Sequence, residues 1–114
     1  MTLYGIGIDV VEIERFASFK KNKSHRFLAN NFSSKELAYC FAFEDSSIHL
    51  AGTFSAKEAV WKVLGQKNLL MSLIEIRRNK SGQPTVWLRN KQQKSVLVSI
   101  SHTKKISIAI AIKV

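Results

Sequence analysis

Punctuation is scarce in this 114-residue chain, which has one proline and five glycines. With so few breakers, no low-complexity tract and no internal repeat, there is no place for a linker, and residues 1–114 read as a single domain around one core. Cysteine is equally scarce. Cys40 stands alone, which excludes an internal disulfide, and no CxxC or Cys/His cluster suits zinc, so a reducing cytoplasm is the expected compartment. No apolar run approaches the length of a membrane span. The N-terminus has no basic stretch followed by an apolar one, so neither a membrane partner nor a secretory leader is expected. Acidic residues are few as well: 8 Asp and Glu against 18 Lys and Arg, a net charge of +10. That field calls for a polyanionic partner, whether nucleic acid, a phosphorylated small molecule or an acidic protein.

What is present fits a folded protein, with 46% hydrophobic and 10% aromatic residues. Residues 4–10 alternate as a strand, and over 11–20 the pattern "VVEIERFASFK" shifts to a helical period with Ile13, Phe16 and Phe19 on one side. Ser33 precedes Glu36 by three residues, the spacing of a capping box, and predicts a helix start. From Ser46 or Ser47 a long helix runs to Gly65, a left-handed stop. The remainder is strand-rich: "SLIEIRR", the turn "NKSGQ", "PTVWL", then "SVLVSIS" and "ISIAIAIKV" joined by residues 102–105. Helices first and antiparallel strands after them make the fold class α+β.

Three features carry chemistry. Alternation places Tyr4, Ile6, Ile8 and Val10 on one face of the first strand and Gly5, Gly7 and Asp9 on the other. Asp9 is then either a carboxylate beside an opening left by two glycines, or a residue that ends the strand and caps the helix after it. Glu58 falls among Leu50, Phe54 and Trp61 on the long helix, where an unpaired carboxylate would carry a desolvation cost. Lys62, at i+4, could serve it as a simple helix ion pair. Two such carboxylates suit Mg²⁺, an ion held by one or two acids and completed by water and substrate phosphates. Neither GxxxxGK[ST] nor GxGxxG occurs, so the common nucleotide cradles are excluded. Thirdly, Ser101, His102 and Thr103 interrupt the strand pattern near the C-terminus, as a polar turn or as the lining of a site.

Four segments, "GIGIDVVEIERF", "FSAKEAVWKVLG", "SGQP" and "SISHTKK", resemble in order and spacing the holo-[acyl-carrier-protein] synthases, the small-chain branch of the 4′-phosphopantetheinyl transferases. The resemblance runs from residue 3 to the C-terminus. It implies transfer of the phosphopantetheine arm of coenzyme A to a serine of apo acyl carrier protein, in fatty acid biosynthesis, leaving adenosine 3′,5′-bisphosphate. By position it implies that Asp9 and Glu58 hold Mg²⁺ and that Lys62 binds phosphate. Gly65, Pro84, His102 and Thr103 then belong to the coenzyme pocket. The implied fold is that of the family, helices packed on an antiparallel sheet, assembled as a homotrimer whose clefts are completed by two protomers. Its acidic carrier protein would dock on the helix after the first strand, making Arg15, Lys20, Lys21, Lys23 and Arg26 the candidate contacts. Thr53 stands where many members have Arg, and Trp61 where a smaller residue is usual.

Two other readings compete. A small basic nucleic-acid-binding domain accounts for the charge, but the chain shows neither an interleaved aromatic-basic strand motif nor a helix-turn-helix. A member serving a polyketide or peptide-synthesis carrier keeps the fold, but such enzymes are often two fused halves of this unit.

Overall fold

The structure is a computed structural model, and the described residues are 2–19 and 25–114. Strand β1 (Gly5–Glu12) leads into a 3₁₀ segment (Ile13–Phe19), then α1 (Arg26–Asn31), α2 (Ser34–Phe41) and α3 (Ser46–Leu64). After a short 3₁₀ turn at Met71–Leu73 come β2 (Ile74–Arg78), β3 (Pro84–Leu88), β4 (Lys91–Gln92), β5 (Val96–His102) and β6 (Ile106–Lys113). Two antiparallel sheets result, ordered β1-β6-β5 and β2-β3-β4. Helix α3 lies across the first sheet and also touches β2 and α2, so it is the central element of an α+β fold.

The expected helix over 11–20 is a correction. Val11 and Glu12 continue the strand because Ser107 and Ile106 of β6 are there to pair with them, and the Ile13 amide still donates to the Lys105 carbonyl. The residues beyond wind as a 3₁₀ helix. Its three-residue turn stacks Ile13, Phe16 and Phe19 directly above one another, a better match to their spacing than the 3.6-residue period. Phe16 packs against Phe19, Phe27 and Phe54 with ring centroids 5.7–6.2 Å apart.

The glycines of β1 make a second correction. They do not leave an opening: α3 fills it. A Cβ on Gly7 would lie 2.1 Å from the Ala59 carbonyl oxygen, and one on Gly5 3.1 Å from Val63 Cγ2. Close approach of helix to strand therefore requires glycine at position 7. The opposite face, with Tyr4, Ile6, Ile8 and Val10, is exposed in the single chain, and Leu97 and Ile110 of the same sheet are exposed with it.

Helix α3 starts where expected, with the Asp45 side chain accepting from the Ser47 amide, and ends at Gly65 with φ of 67°. Its first half packs with the 3₁₀ segment, α1 and α2 through Phe16, Leu28, Leu50 and Phe54. Its second half packs with both sheets through Ala59, Val60, Ile74, Val86 and Ala111. The predicted capping box is present: the Glu36 amide donates to Ser33 Oγ at 3.2 Å, and the Ser33 amide to Glu36 Oε1 at 2.9 Å. The same carboxylate does more than cap. Lys57 Nζ, fully buried, donates to Glu36 Oε1 at 2.6 Å, and the Ile76 amide donates to Oε2 at 2.8 Å. One acid thus ties α2 to α3 and to β2.

Breaking a buried pair strands the surviving charge, so Glu36→Ala and Lys57→Ala should each destabilise the fold by about 3–5 kcal/mol. The double variant should fall well short of the sum, because neither charge is left alone. Urea denaturation of the four proteins measures both quantities, and additive losses would show that the pair is not coupled.

Candidate active site

Close packing of β1 on α3 sets the site. Asp9 pairs with Ala109 in the sheet and follows Gly7 by two residues, so its side chain points to α3 in the same phase as the glycine. Glu58 and Lys62, one turn apart, meet it there. Lys62 Nζ donates to the Ile8 carbonyl at 2.8 Å and reaches Asp9 Oδ1 at 3.5 Å. The simple Glu58–Lys62 helix pair does not form: among the described residues Lys62 makes its ion pair with the strand. Asp9 Oδ2 is the one buried side-chain nitrogen or oxygen among the described residues without a hydrogen-bond partner.

Electrostatics separates these acids from ordinary surface carboxylates. Burial pushes the Asp9 carboxyl above its usual value, while the Lys62 and Arg15 charges pull it back. Glu58 is pushed up by burial first and then by the negative charge of Asp9, again against Lys62 and Arg15. Arg15 therefore belongs to the same neighbourhood. Its guanidinium lies 5.6, 6.0 and 5.5 Å from the ring centres of Phe16, Phe27 and Phe54, an aromatic seat that holds it near both acids.

Among the described residues no group of three or more His, Cys, Asp and Glu converges on one point. The donor set is a pair. Two half-buried carboxylates, one with an orphaned oxygen, fit an ion that takes its remaining ligands from water and phosphate. They do not fit a closed, all-protein cage.

The other expected site residues divide. Pro84 and His102 line a cavity of about 590 Å³ between β3, β5 and the first turns of α3. Asp9, Glu58, Lys62 and Gly65 do not line it, so the single chain carries the expected residues in two separate places. Gly65 is the exposed C-cap of α3. The Thr103 hydroxyl accepts from the Lys105 and Ile106 amides, both at 3.1 Å, and so builds the β5–β6 turn. His102 Nδ1 lies 3.0 Å from the Thr103 carbonyl oxygen. Arg26 is exposed at the start of α1, whereas Lys20, Lys21 and Lys23 lie outside the described residues. Thr53 is fully buried, its hydroxyl 3.6 Å from Cys40 Sγ, and Trp61 donates its indole N–H to the Leu69 carbonyl at 3.1 Å.

Sequence reasoning overlooked Tyr39, His49 and Arg78, which also line the cavity. A signal existed for the last. Ile74 and Ile76 are buried, and alternation puts Arg78 in the same phase of β2 as these two core residues.

Because burial raises the Glu58 value, the folded state holds its proton more tightly than the unfolded state, and stability should fall as pH rises through the range between the two values. In metal-free buffer at pH 7, Glu58→Gln should therefore melt at or above the wild-type temperature. Below the ordinary glutamate range both side chains are neutral and the difference should vanish; calorimetry at pH 7 and pH 3.5 tests this. A variant less stable at pH 7 would show that Glu58 bears no desolvation cost.

With this geometry in place, likeness to known proteins becomes specific. The family model described as the 4′-phosphopantetheinyl transferase superfamily matches residues 5–111. The holo-[acyl-carrier-protein] synthase of Thermodesulfovibrio yellowstonii is 36% identical over 109 residues, covering 95% of this chain and 96% of that protein. The crystal structure of the Helicobacter pylori holo-[acyl-carrier-protein] synthase in complex with coenzyme A superposes with a TM-score of 0.78 at 30% identity, covering 96% of this chain and 99% of that one. A Bacillus anthracis synthase, solved in complex with CoA (3′,5′-ADP), gives a TM-score of 0.78 at 26% identity, with 99% and 97% covered. The chain that brings Asp9, Glu58 and Lys62 together across β1 and α3 belongs to the 4′-phosphopantetheinyl transferase superfamily, among its holo-[acyl-carrier-protein] synthases.

Proposed function

We propose that the protein transfers the 4′-phosphopantetheine group of coenzyme A to a serine of apo acyl carrier protein, serving fatty acid biosynthesis in the cytoplasm. The observation that carries the reading is the convergence of two desolvated carboxylates and a half-exposed lysine, in a chain of this family. The serine oxygen bonds to the β-phosphorus while the bond from that phosphorus to the bridging oxygen breaks, and the oxygen leaves on adenosine 3′,5′-bisphosphate. Asp9 and Glu58 are the residues that would hold Mg²⁺, whose bound charge would draw negative charge from the pyrophosphate. Lys62, with 47% of its side chain exposed, can leave Asp9 and place its ammonium on a phosphoryl oxygen. Ionised Glu58 is the candidate to take the serine proton, directly or through water.

The exposed sheet face supports a homotrimer. Ile6, Ile8, Val10, Leu97 and Ile110 form an apolar surface that a stable monomer would not leave to water. Assembly would also unite what one chain keeps apart, the carboxylate pair of one protomer and the cavity of a neighbour. A net charge of +10, with Arg15 and Arg26 exposed beside the carboxylates or on α1, suits an acidic carrier protein. The nucleic-acid alternative rests on the charge alone, and no described feature adds to it. Likewise, among the described residues no helix is long and apolar enough to cross a membrane.

Mass spectrometry of apo carrier protein incubated with the enzyme, Mg²⁺ and coenzyme A should show the phosphopantetheine increment. Chelation should abolish it, and Asp9→Asn or Glu58→Gln should slow it roughly 100-fold or more. Either variant, folded and as fast as wild type, would refute the metal assignment. By sedimentation the wild type should have the mass of three 12.9 kDa chains. Ile8→Lys should release single chains and lose transfer activity with them, whereas a monomeric, active wild type would refute the shared site.

A further inference from the structure

Residues 65–70 carry the chain out of α3 toward β2, and Trp61 holds both ends of that loop. Its carbonyl accepts from the Gly65 amide at 3.2 Å where the helix stops, and its indole N–H donates to the Leu69 carbonyl at 3.1 Å where the chain re-enters the core. Leu69 is buried, and Trp61 packs against the same apolar cluster, whereas Gln66, Lys67, Asn68 and Leu70 are exposed. The loop's own backbone bond, from the Leu69 amide to the Gln66 carbonyl at 3.0 Å, spans only three residues. The indole therefore closes the loop back onto the helix.

This loop borders the carboxylate site. Helical rise puts Gly65 about 4.5 Å along α3 from Lys62. In the other direction, one turn before Glu58, Phe54 and the Arg15 guanidinium seated on it take up the space. Beyond Lys62 there is room instead: a Cβ on Gly65 would meet nothing within 4 Å. A donor whose pyrophosphate lies at Lys62 is much larger than that group, and the open direction for the rest of it is over the loop.

We propose that Trp61 is a positioning residue for the coenzyme: by clamping the loop at Gly65 and Leu69 it holds in place a surface on which the donor lies, and so sets the affinity for coenzyme A without touching the reacting atoms. The inference rests on the transferase reading. A loop that had to be ordered at each binding event would lose that entropy from the affinity, and a loop already clamped does not. The geometry of Asp9, Glu58 and Lys62 is set by β1 and α3 and is independent of the clamp.

Trp61→Phe keeps an apolar ring and removes the N–H donor. By calorimetry in Mg²⁺, this variant should bind coenzyme A about three- to ten-fold more weakly than wild type, the loss expected for one hydrogen bond. In carrier modification its KM for the coenzyme should rise by the same factor while kcat stays within about two-fold. Opening of the loop is read separately: trypsin should cut after the exposed Lys67 about three- to ten-fold faster in the folded variant, as measured by mass spectrometry of the fragments. Trp61→Leu, which lacks the whole indole, should enlarge both effects. Wild-type coenzyme affinity in a variant whose loop is cut faster would overturn the inference, because the clamp would then serve the fold alone. An unchanged rate of cutting would overturn it too, as would a kcat that falls as far as the affinity. A wild type that binds coenzyme A and modifies no carrier would instead refute the transferase reading, and the binding and cutting measurements would still decide the role of Trp61.

Discussion

The approach of Gly7 to the Ala59 carbonyl is the contact on which the functional geometry depends. A Cβ there would sit 2.1 Å from that oxygen, so any other residue would push β1 away from α3. Everything at the carboxylate site is counted from this contact. Asp9 follows Gly7 in the same strand phase, Glu58 immediately precedes Ala59, and Lys62 lies three residues beyond it. A helix held a few ångströms further out could not bring Lys62 Nζ to the Ile8 carbonyl or put Glu58 within the field of Asp9. The glycine is therefore an element of the chemistry although it has no side chain to offer.

The strand contact fixes how close α3 lies, and the Lys57–Glu36 pair fixes how it is rotated. Lys57 and Glu58 are neighbours, about 100° apart around the helix. Lys57 is fully buried and bonded to an acid that is itself tied to the Ser33 and Ile76 amides. Its neighbour Glu58, turned by that angle, is then directed toward β1. Burying two charges is costly and brings little net stability compared with apolar packing. Here it gives a direction, because the ammonium is held by a hydrogen bond to one carboxylate, that of Glu36.

Much of this is legible in the chain. The Ser33–Glu36 box, the long helix closed by Gly65 and the β5–β6 hairpin all come from local spacing, and the structure carries each one. Asp9 and Glu58 stand out by being charged where their neighbours are apolar, and Lys62 by its place one turn from Glu58. What local pattern cannot supply is the tertiary partner. The face of Gly5 and Gly7 reads as empty until α3 is known to fill it, and Val11 and Glu12 read as helical until β6 is known to extend the strand through them. Glu36 shows both cases in one residue. Its cap is visible because Ser33 is near in sequence, while Lys57 and Ile76 are reached only through the fold.

Two kinds of unmet electrostatic demand lie in different parts of the chain. At β1 and α3 the acids are under-compensated: Asp9 and Glu58 repel one another, and Asp9 Oδ2 has no donor. In the cavity the cation is under-compensated, since Arg78 faces inward without an acid. A chain of net charge +10 could have paired these groups within itself at little cost in sequence, and the Lys57–Glu36 pair shows that it does so where only the fold is served. Groups left unpaired lower the stability of the free protein and return that free energy to a ligand that completes them. The exposed Ile6, Ile8 and Val10 face is the surface on which the proposed neighbouring copy would rest.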